Sequence, residues 1–275
     1  MRKEAAVAEA SLKAALPKVI ELRGITQTYD GGKTFLFNNL NLFLEDKPGQ
    51  GQFVVILGVS GCGKSTLLRY MSGLQTPTSG EVLIDGKPKT DGMVISMVFQ
   101  QYSSFPWLSV LDNVLLPLKF RGVPKGEGKE TAMEMIKAVG LDGHERKYAQ
   151  SPILSGGQLQ RVAIARSLIS NPQIILMDEP FGALDTLTRF RMQTMLYGIW
   201  EKLESTIVFV THDIQEAVFL GDDIYIMKSG KGAPSQIARH IHVDLPLHRD
   251  RSTKREAHFV QLVGEVEDAI TSLNA

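Results

Sequence analysis

Apolar and polar positions along the chain fall into short runs of two kinds. From Lys18, Val19-Ile20-Glu21-Leu22 and Ile25-Thr26-Gln27-Thr28-Tyr29 mix the two classes and predict strands; residues 35–43 predict another. Asp30-Gly31-Gly32 and Asp85-Gly86 are turn signals, and residues 46–51 form a Pro/Gly-containing loop. Residues 53–57, 81–84, 95–99, 206–210 and 224–227 are further short strand-like runs. Ile174-Ile175-Leu176-Met177 is apolar without a break, as a parallel strand covered on both faces must be. From Val110 to about residue 166 the pattern is helical, interrupted at Gly122-Val123-Pro124 and Ser151-Pro152, which predicts a helical insertion in an α/β core. Near the end, Phe259, Leu262, Val263, Val266 and Ile270 share one helical face, and that helix is expected to pack back on the domain. Residues 1–17, rich in Ala, Glu and Lys and closed by Pro17, are expected to be a loose extension.

Composition narrows the partners. In 275 residues, 30 Lys and Arg balance 30 Asp and Glu, which argues against a mainly electrostatic nucleic-acid binder. Cys62 is the one cysteine, so no intrachain disulfide forms and a reducing compartment is expected. No run approaches the ~18 apolar residues of a membrane span. Glu4, Glu9 and Lys13 interrupt the N-terminal region, so neither a signal peptide nor a transit sequence is expected there.

The chemistry concentrates at Gly58-Val59-Ser60-Gly61-Cys62-Gly63-Lys64-Ser65-Thr66, which reads G-x-x-x-x-G-K-[ST] between a predicted strand and a predicted helix. Three phosphates crowd negative charge into a small volume. Glycines let the backbone curl so that successive N–H groups point inward at the positive end of the helix. Lys64 is expected to reach the β- and γ-phosphates, and Ser65 to place a hydroxyl on Mg²⁺. Cys62, at a helix N-terminus, is expected to have a lowered thiol pKa, to react with maleimide and to be protected by ATP. A second motif, Leu154-Ser155-Gly156-Gly157-Gln158, opens another predicted helix, and Met177-Asp178-Glu179-Pro180 ends the buried strand in two carboxylates. His240, His242 and His248 lack a matching pattern of carboxylates or cysteines and are read as surface residues, not a metal site.

With these motifs in this order, the chain resembles the ATP-binding cassette (ABC) ATPases over residues 18–245. The resemblance implies an α/β fold: a P-loop NTPase (RecA-like) core with an N-terminal antiparallel β subdomain and an inserted α-helical subdomain. The nucleotide-binding domain is placed at 18–275, the helical subdomain at about 102–166 and a C-terminal helix at about 255–272. Tyr29 matches the aromatic that stacks on adenine, and Gln100 the glutamine that touches Mg²⁺ and senses the γ-phosphate. Residues Ser155, Gly156, Gly157 and Gln158 match the signature that completes the partner subunit's site. Asp178 matches the carboxylate that holds Mg²⁺ through water, Glu179 the general base, and His212 the switch histidine. Asp185 matches the dimer-contact loop; its alternative as a helix N-cap is compatible with that role. Tyr102, Phe105 and Trp107 are an apolar cluster that suits a short helix of a membrane subunit.

More locally, Phe105-Pro106-Trp107-Leu108-Ser109-Val110, Asp112-Asn113-Val114 and Asp178-Glu179-Pro180-Phe181-Gly182-Ala183-Leu184-Asp185 look like the importer branch for nitrate, sulfonates, taurine and related small solutes, with Arg189 and Arg191-Met192-Gln193 in keeping. The implied cofactors are ATP and Mg²⁺. The implied partners are transmembrane permease subunits, a second ABC ATPase subunit (identical or related) and an extracytoplasmic solute-binding protein, with no nucleic acid. The implied place is the cytoplasmic face of the cell membrane. The N-terminal extension and Gln50-Gly51-Gln52 depart from the family pattern. The alternatives are the ATPase of another transport system (lipid, amino acid or export), a DNA-maintenance ATPase, which would need long coiled coils between Gln100 and Leu154, and a translation-type factor, which usually carries two cassettes.

Overall fold

A computed structural model of the chain describes residues 18–45, 47, 51–88, 95–230 and 232–274. The expected N-terminal extension, and all of the 46–51 loop except Lys47 and Gly51, lie outside the described residues. Ten strands form a mixed sheet in the order β5-β4-β1-β2-β10-β9-β3-β8-β7-β6. β1 (Lys18–Thr28), β2 (Phe35–Glu45), β4 (Ser79–Ile84) and β5 (Lys87–Pro88) pair antiparallel. β3 (Gln52–Gly58), β6 (Ile95–Val98), β7 (Ile174–Asp178), β8 (Thr206–Thr211) and β9 (Asp223–Gly230) run parallel, and β10 (Ala233–His242) folds back antiparallel on β9. A single parallel pairing, Ser235 with Phe37, joins the two regions.

The uninterrupted apolar runs have a direct physical reason. Side chains alternate faces along a strand, so each central strand feeds two cores at once. Phe53, Val55, Leu57, Ile175, Met177, Ile207 and Phe209 enter one core. That core is covered by α5 (Thr186–Trp200), α6 (Ile214–Leu220) and the C-terminal α7 (Ala257–Asn274). Their neighbours Val54, Ile56, Ile174, Leu176, Val208 and Val210 enter the other, under α1 (Lys64–Ser72) and the antiparallel strands. A third core belongs to the helices α2 (Val110–Phe120), α3 (Lys125–Ala138) and α4 (Gly156–Leu168), through Val114, Leu118, Ile136, Val162 and Ala165.

The sequence pattern splits the first strand in two, whereas the structure makes it one, bent at Gly24. Gly24 takes φ 59° opposite Asn39 at φ 57°, and its N–H donates to Asn41 Oδ1 (2.9 Å). β10 is not anticipated, because half of its residues are exposed and it carries no apolar run. Among the described residues no helix is long and apolar enough to cross a membrane.

Candidate active site

Three neighbouring parallel strands, β3, β8 and β7, end at the same edge of the sheet, where doubly wound sheets gather their ligands. β3 runs into the loop 58–66 and α1. At Gly63 φ is 96°, and a Cβ there would lie 2.5 Å from the Phe37 ring, so only glycine satisfies both the turn and the packing. Lys64 is buried, and its Nζ donates to Gly58 O (2.8 Å) and Val59 O (3.0 Å). Ser65 Oγ donates to Asp178 Oδ1 (2.8 Å) across the end of β8. Burial pushes the Asp178 carboxyl up, against the lowering effect of the Ser65 hydrogen bond. Hydroxyl and carboxylate oxygens side by side are a hard donor set that suits Mg²⁺.

Glu179, one residue beyond β7, stands in the left-handed region at φ 41°, a strained conformation for a residue with a long side chain. Its N–H donates to Val210 O (3.0 Å), which fastens it to β8. Its Oε1 lies 3.5 Å from Lys64 Nζ, and its Oε2 lies 3.1 Å from His212 Nδ1 at the end of β8. The structure thus gathers Lys64, Ser65, Asp178, Glu179 and His212 at one point. Gln100 follows the end of β6, the neighbour of β7, and is exposed. A cleft of about 350 Å³ runs beside this point, between Gly58, Val59, Ser60 and His212 and the α7 residues Ile270 and Leu273.

Other sequence-derived residues stand apart from it. Ser155 caps α4: its Oγ accepts from Gln158 N (3.3 Å) while Gln158 Oε1 accepts from Ser155 N (2.9 Å), a reciprocal capping box. A Cβ at Gly156 would meet the Tyr102 hydroxyl, so any side chain there requires the exposed Tyr102 ring to shift. No hydrogen bond among the described residues ties 154–158 to 58–66. Asp185 caps α5, accepting from Leu187 N (3.1 Å) and Thr188 N (3.0 Å). Tyr29 is 69 % exposed, so it is not a core aromatic; its hydroxyl accepts from Gln75 Nε2 (3.3 Å).

The aromatic loop is built, not loose. Asn113, fully buried on α2, accepts from Phe105 N (2.8 Å) and donates to Phe105 O (3.0 Å). Arg166 on α4 donates to Ser103 O (2.7 Å) and lies 5.0 Å from the Phe105 ring centre. Phe105 and Trp107 rings sit 5.3 Å apart, and Trp107 remains 68 % exposed beside exposed Tyr102. Asn113 belongs to a stretch that the resemblance singles out, but its anchoring of the loop, like that by Arg166 at a distance of 63 residues, is a contact that local spacing does not announce.

Cys62 is a correction. Its side chain is fully buried in the core under α1, and burial pushes its thiol up, outweighing the opposing charge of Lys64. Only its backbone belongs to the phosphate loop. Maleimide treatment of the native protein is therefore expected to leave ATP binding intact, with labelling only after unfolding; fast native labelling slowed by ATP would contradict this. The histidines also gain detail. His240 Nε2 and His242 Nδ1 lie 2.8 and 3.1 Å from one oxygen of Asp223; burial pushes that carboxyl up, but the His240 bond, the Lys47 charge and the His242 bond outweigh it and hold it well below its usual range, while His248 pairs with Glu201.

Known proteins resemble this chain over most of its length. The ABC transporter family profile matches residues 32–182. The nitrate import ATP-binding protein NrtD of Synechocystis sp. is 40 % identical over 260 residues, covering 91 % of this chain and 94 % of that protein. The taurine import ATP-binding protein TauB of Rhizobium johnstonii is 42 % identical over 233 residues, 82 % of this chain and 87 % of that protein. Among solved structures, the dimeric post-hydrolysis state of the ATP-binding cassette MJ0796 bound to ADP and Pi superposes with a TM-score of 0.69 at 36 % identity, covering 82 % of this chain and all of that one. The phosphate loop, the paired carboxylates and the glutamate–histidine contact thus belong to a chain of the ABC transporter family, an ATP-binding protein that hydrolyses ATP to drive transport.

Proposed function

We propose that this chain is the ATPase subunit of an importer for a small oxyanion, nitrate or a sulfonate such as taurine. In this reading residues 58–66 wrap the phosphates of ATP with backbone N–H groups, and Lys64 turns from the Gly58 and Val59 carbonyls toward them. Ser65 and Asp178, with Gln100, would hold Mg²⁺, the carboxylate through water; the ion supplies charge neutralisation at the phosphates. Glu179 takes the proton of the attacking water, and His212, in contact with Glu179, orients it. Tyr29 offers an exposed ring for adenine.

One phosphate loop leaves part of the nucleotide open to water. The N-terminus of α4 at Ser155-Gly156-Gly157 of a second copy, or of a related subunit, would cover it, with Asp185 at the contact. ATP then joins two subunits and its hydrolysis releases them. Tyr102, Phe105 and Trp107 receive a short helix of a transmembrane permease subunit. This places the protein peripherally on the cytoplasmic face of the membrane, in a complex with an extracytoplasmic solute-binding protein.

The observation that carries the importer reading is the likeness to NrtD, which extends over 91 % of this chain and so far beyond the nucleotide motifs. The test is purification of the complex from membranes, followed by ATPase assays after reconstitution. The expected result is a co-purifying spanning subunit and turnover raised by nitrate or taurine presented with its binding protein. A partner without membrane spans, or a complex indifferent to both solutes, would overturn it.

A further inference from the structure

A second cleft, of about 450 Å³, lies outside the phosphate loop, between the first turns of α5, the start of α6 and the 3-10 turn Thr253–Arg255 that precedes α7. Four cations, Arg189, Arg251, Lys254 and Arg255, line it against a single carboxylate, Asp213. Arg189 and Gln193 belong to the stretch that resembles the importer branch, yet nothing in the hydrolytic site uses them.

The cations are incompletely neutralised. Arg189 Nη1 is 3.5 Å from Asp213 Oδ2, a loose pair, and Nη2 donates to Leu184 O (3.0 Å). Its Nε is buried and has no hydrogen-bond partner. Lys254 Nζ donates to the Gln193 amide oxygen (3.0 Å) and lies 5.0 and 4.8 Å from the Phe190 and Phe219 ring centres. Among the described residues no carboxylate forms an ion pair with Lys254, Arg251 or Arg255. Burial lowers the Lys254 ammonium pKa, against the charges of Asp213 and Glu216, and Arg189 lowers it a little further; like charges gathered in a partly dry cleft repel one another. An anion with two or more charges relieves that repulsion and can take the arginine forks bidentately. The volume falls in the range of small-molecule sites, ~300–1,000 Å³.

The cleft is wired to the catalytic switch. Lys254 donates to Gln193 Oε1; Gln193 Nε2 donates to Glu216 Oε1 (2.9 Å); Thr211 Oγ1 donates to Glu216 Oε2; and Asp213 N donates to Thr211 Oγ1 (3.0 Å). Glu216 and Gln193 are both buried, so this chain of bonds is shielded from water. Between Thr211 and Asp213 stands His212, in contact with Glu179. An anion that draws Lys254 from Gln193 perturbs the anchor at Thr211, and one that draws Arg189 from Asp213 perturbs the anchor at Asp213, on either side of His212.

We propose that this cleft is a regulatory site for a small organic oxyanion carrying two negative charges, a phosphate ester or a disulfonate, and that its occupation is read at His212 as a change in ATP turnover. The test uses the full chain saturated with ADP, so that the phosphate loop is filled. Glycerol phosphate and ethane-1,2-disulfonate are titrated in by calorimetry, and their effect on ATPase rate is measured at saturating ATP.

The expected result is one bound anion per chain, with affinity weakened at least tenfold in the surface variant Arg251→Gln/Arg255→Gln and falling as salt rises. Binding is expected to change the turnover of the wild-type chain at least twofold. Gln193→Leu, which cuts the relay and leaves the four cations, is expected to retain binding and lose the rate response. Preference for glycerol phosphate assigns a phosphate ester, and preference for ethane-1,2-disulfonate a disulfonate. Absence of binding by both probes at millimolar concentration, binding indifferent to the double variant, or binding without any rate change would overturn the proposal.

Discussion

Glu179→Gln is expected to lower ATP turnover by about 10²–10⁴-fold, the usual contribution of a positioned general base. The substitution is close to isosteric, which isolates the charge. A glutamine can take the same left-handed backbone position that Glu179 holds at φ 41°, keep the N–H bond to Val210 O, and still hydrogen-bond His212 Nδ1, now 3.1 Å away. What it lacks is a basic oxygen for the proton of water. Nucleotide affinity is expected to stay equal or rise. Glu179 sits beside Asp178, where its charge helps push the Asp178 carboxyl up, so neutralising it removes repulsion where phosphates are to bind. The variant should therefore accumulate as an ATP-bound dimer. Single-turnover hydrolysis measures the chemistry, and light scattering with ATP measures the dimer. Turnover within tenfold of the parent would remove Glu179 from the role of base.

The parts of this site that sequence reasoning reaches are those fixed by local spacing. The run 58–66 declares itself because a phosphate loop needs glycines at fixed offsets, and Asp178 and Glu179 because an apolar strand ends on them. The continuous run 174–177 reads as buried because both sheet faces are covered, and the residues alternate between two cores as a pleated strand requires. What stays hidden depends on contacts between distant segments. β10 is half exposed and alternates weakly, so periodicity gives it no outline. The relay from Lys254 through Gln193 and Glu216 spans residues 61 and 23 positions apart. The left-handed turn at Glu179 has no glycine or asparagine to announce it. Cys62 misleads for a physical reason: a helix N-terminus favours a thiolate only where the sulfur faces it, and here the side chain turns into an apolar core where desolvation wins.

Arg249 shows how far a polar stretch can be from a surface loop. In the run Leu247-His248-Arg249-Asp250-Arg251 it looks like any solvated cation, yet it is only 3 % exposed. Its guanidinium donates to Pro246 O (3.1 Å), Phe219 O (3.2 Å), Gly221 O (2.8 Å) and Asp222 Oδ1 (3.0 Å), and stacks 5.1 Å from the Tyr197 ring centre. Asp222 in turn accepts from Phe53 N (2.9 Å), at the start of the strand that carries the phosphate loop. Arg249 thus pins the C-terminal segment and the α6–β9 corner to the base of β3. Arg249→Ala is expected to cost about 3–5 kcal/mol of unfolding free energy, because it strands three carbonyls and a carboxylate in a dry corner. Arg249→Lys is expected to recover part of this, since an ammonium restores the charge but not the fork. The loss should also depend on pH. Burial already pushes the Asp222 carboxyl up and Arg249 opposes that, so removing Arg249 raises it further. Above that raised value the folded variant bears an unpaired charge; as pH falls from neutral toward the ordinary carboxylate range, Asp222 takes a proton and the penalty shrinks. Urea unfolding of parent and variant at several pH values measures this directly. A difference below about 1 kcal/mol at neutral pH, or one that grows on acidification, would show that the corner is held by packing and not by the Arg249–Asp222 pair.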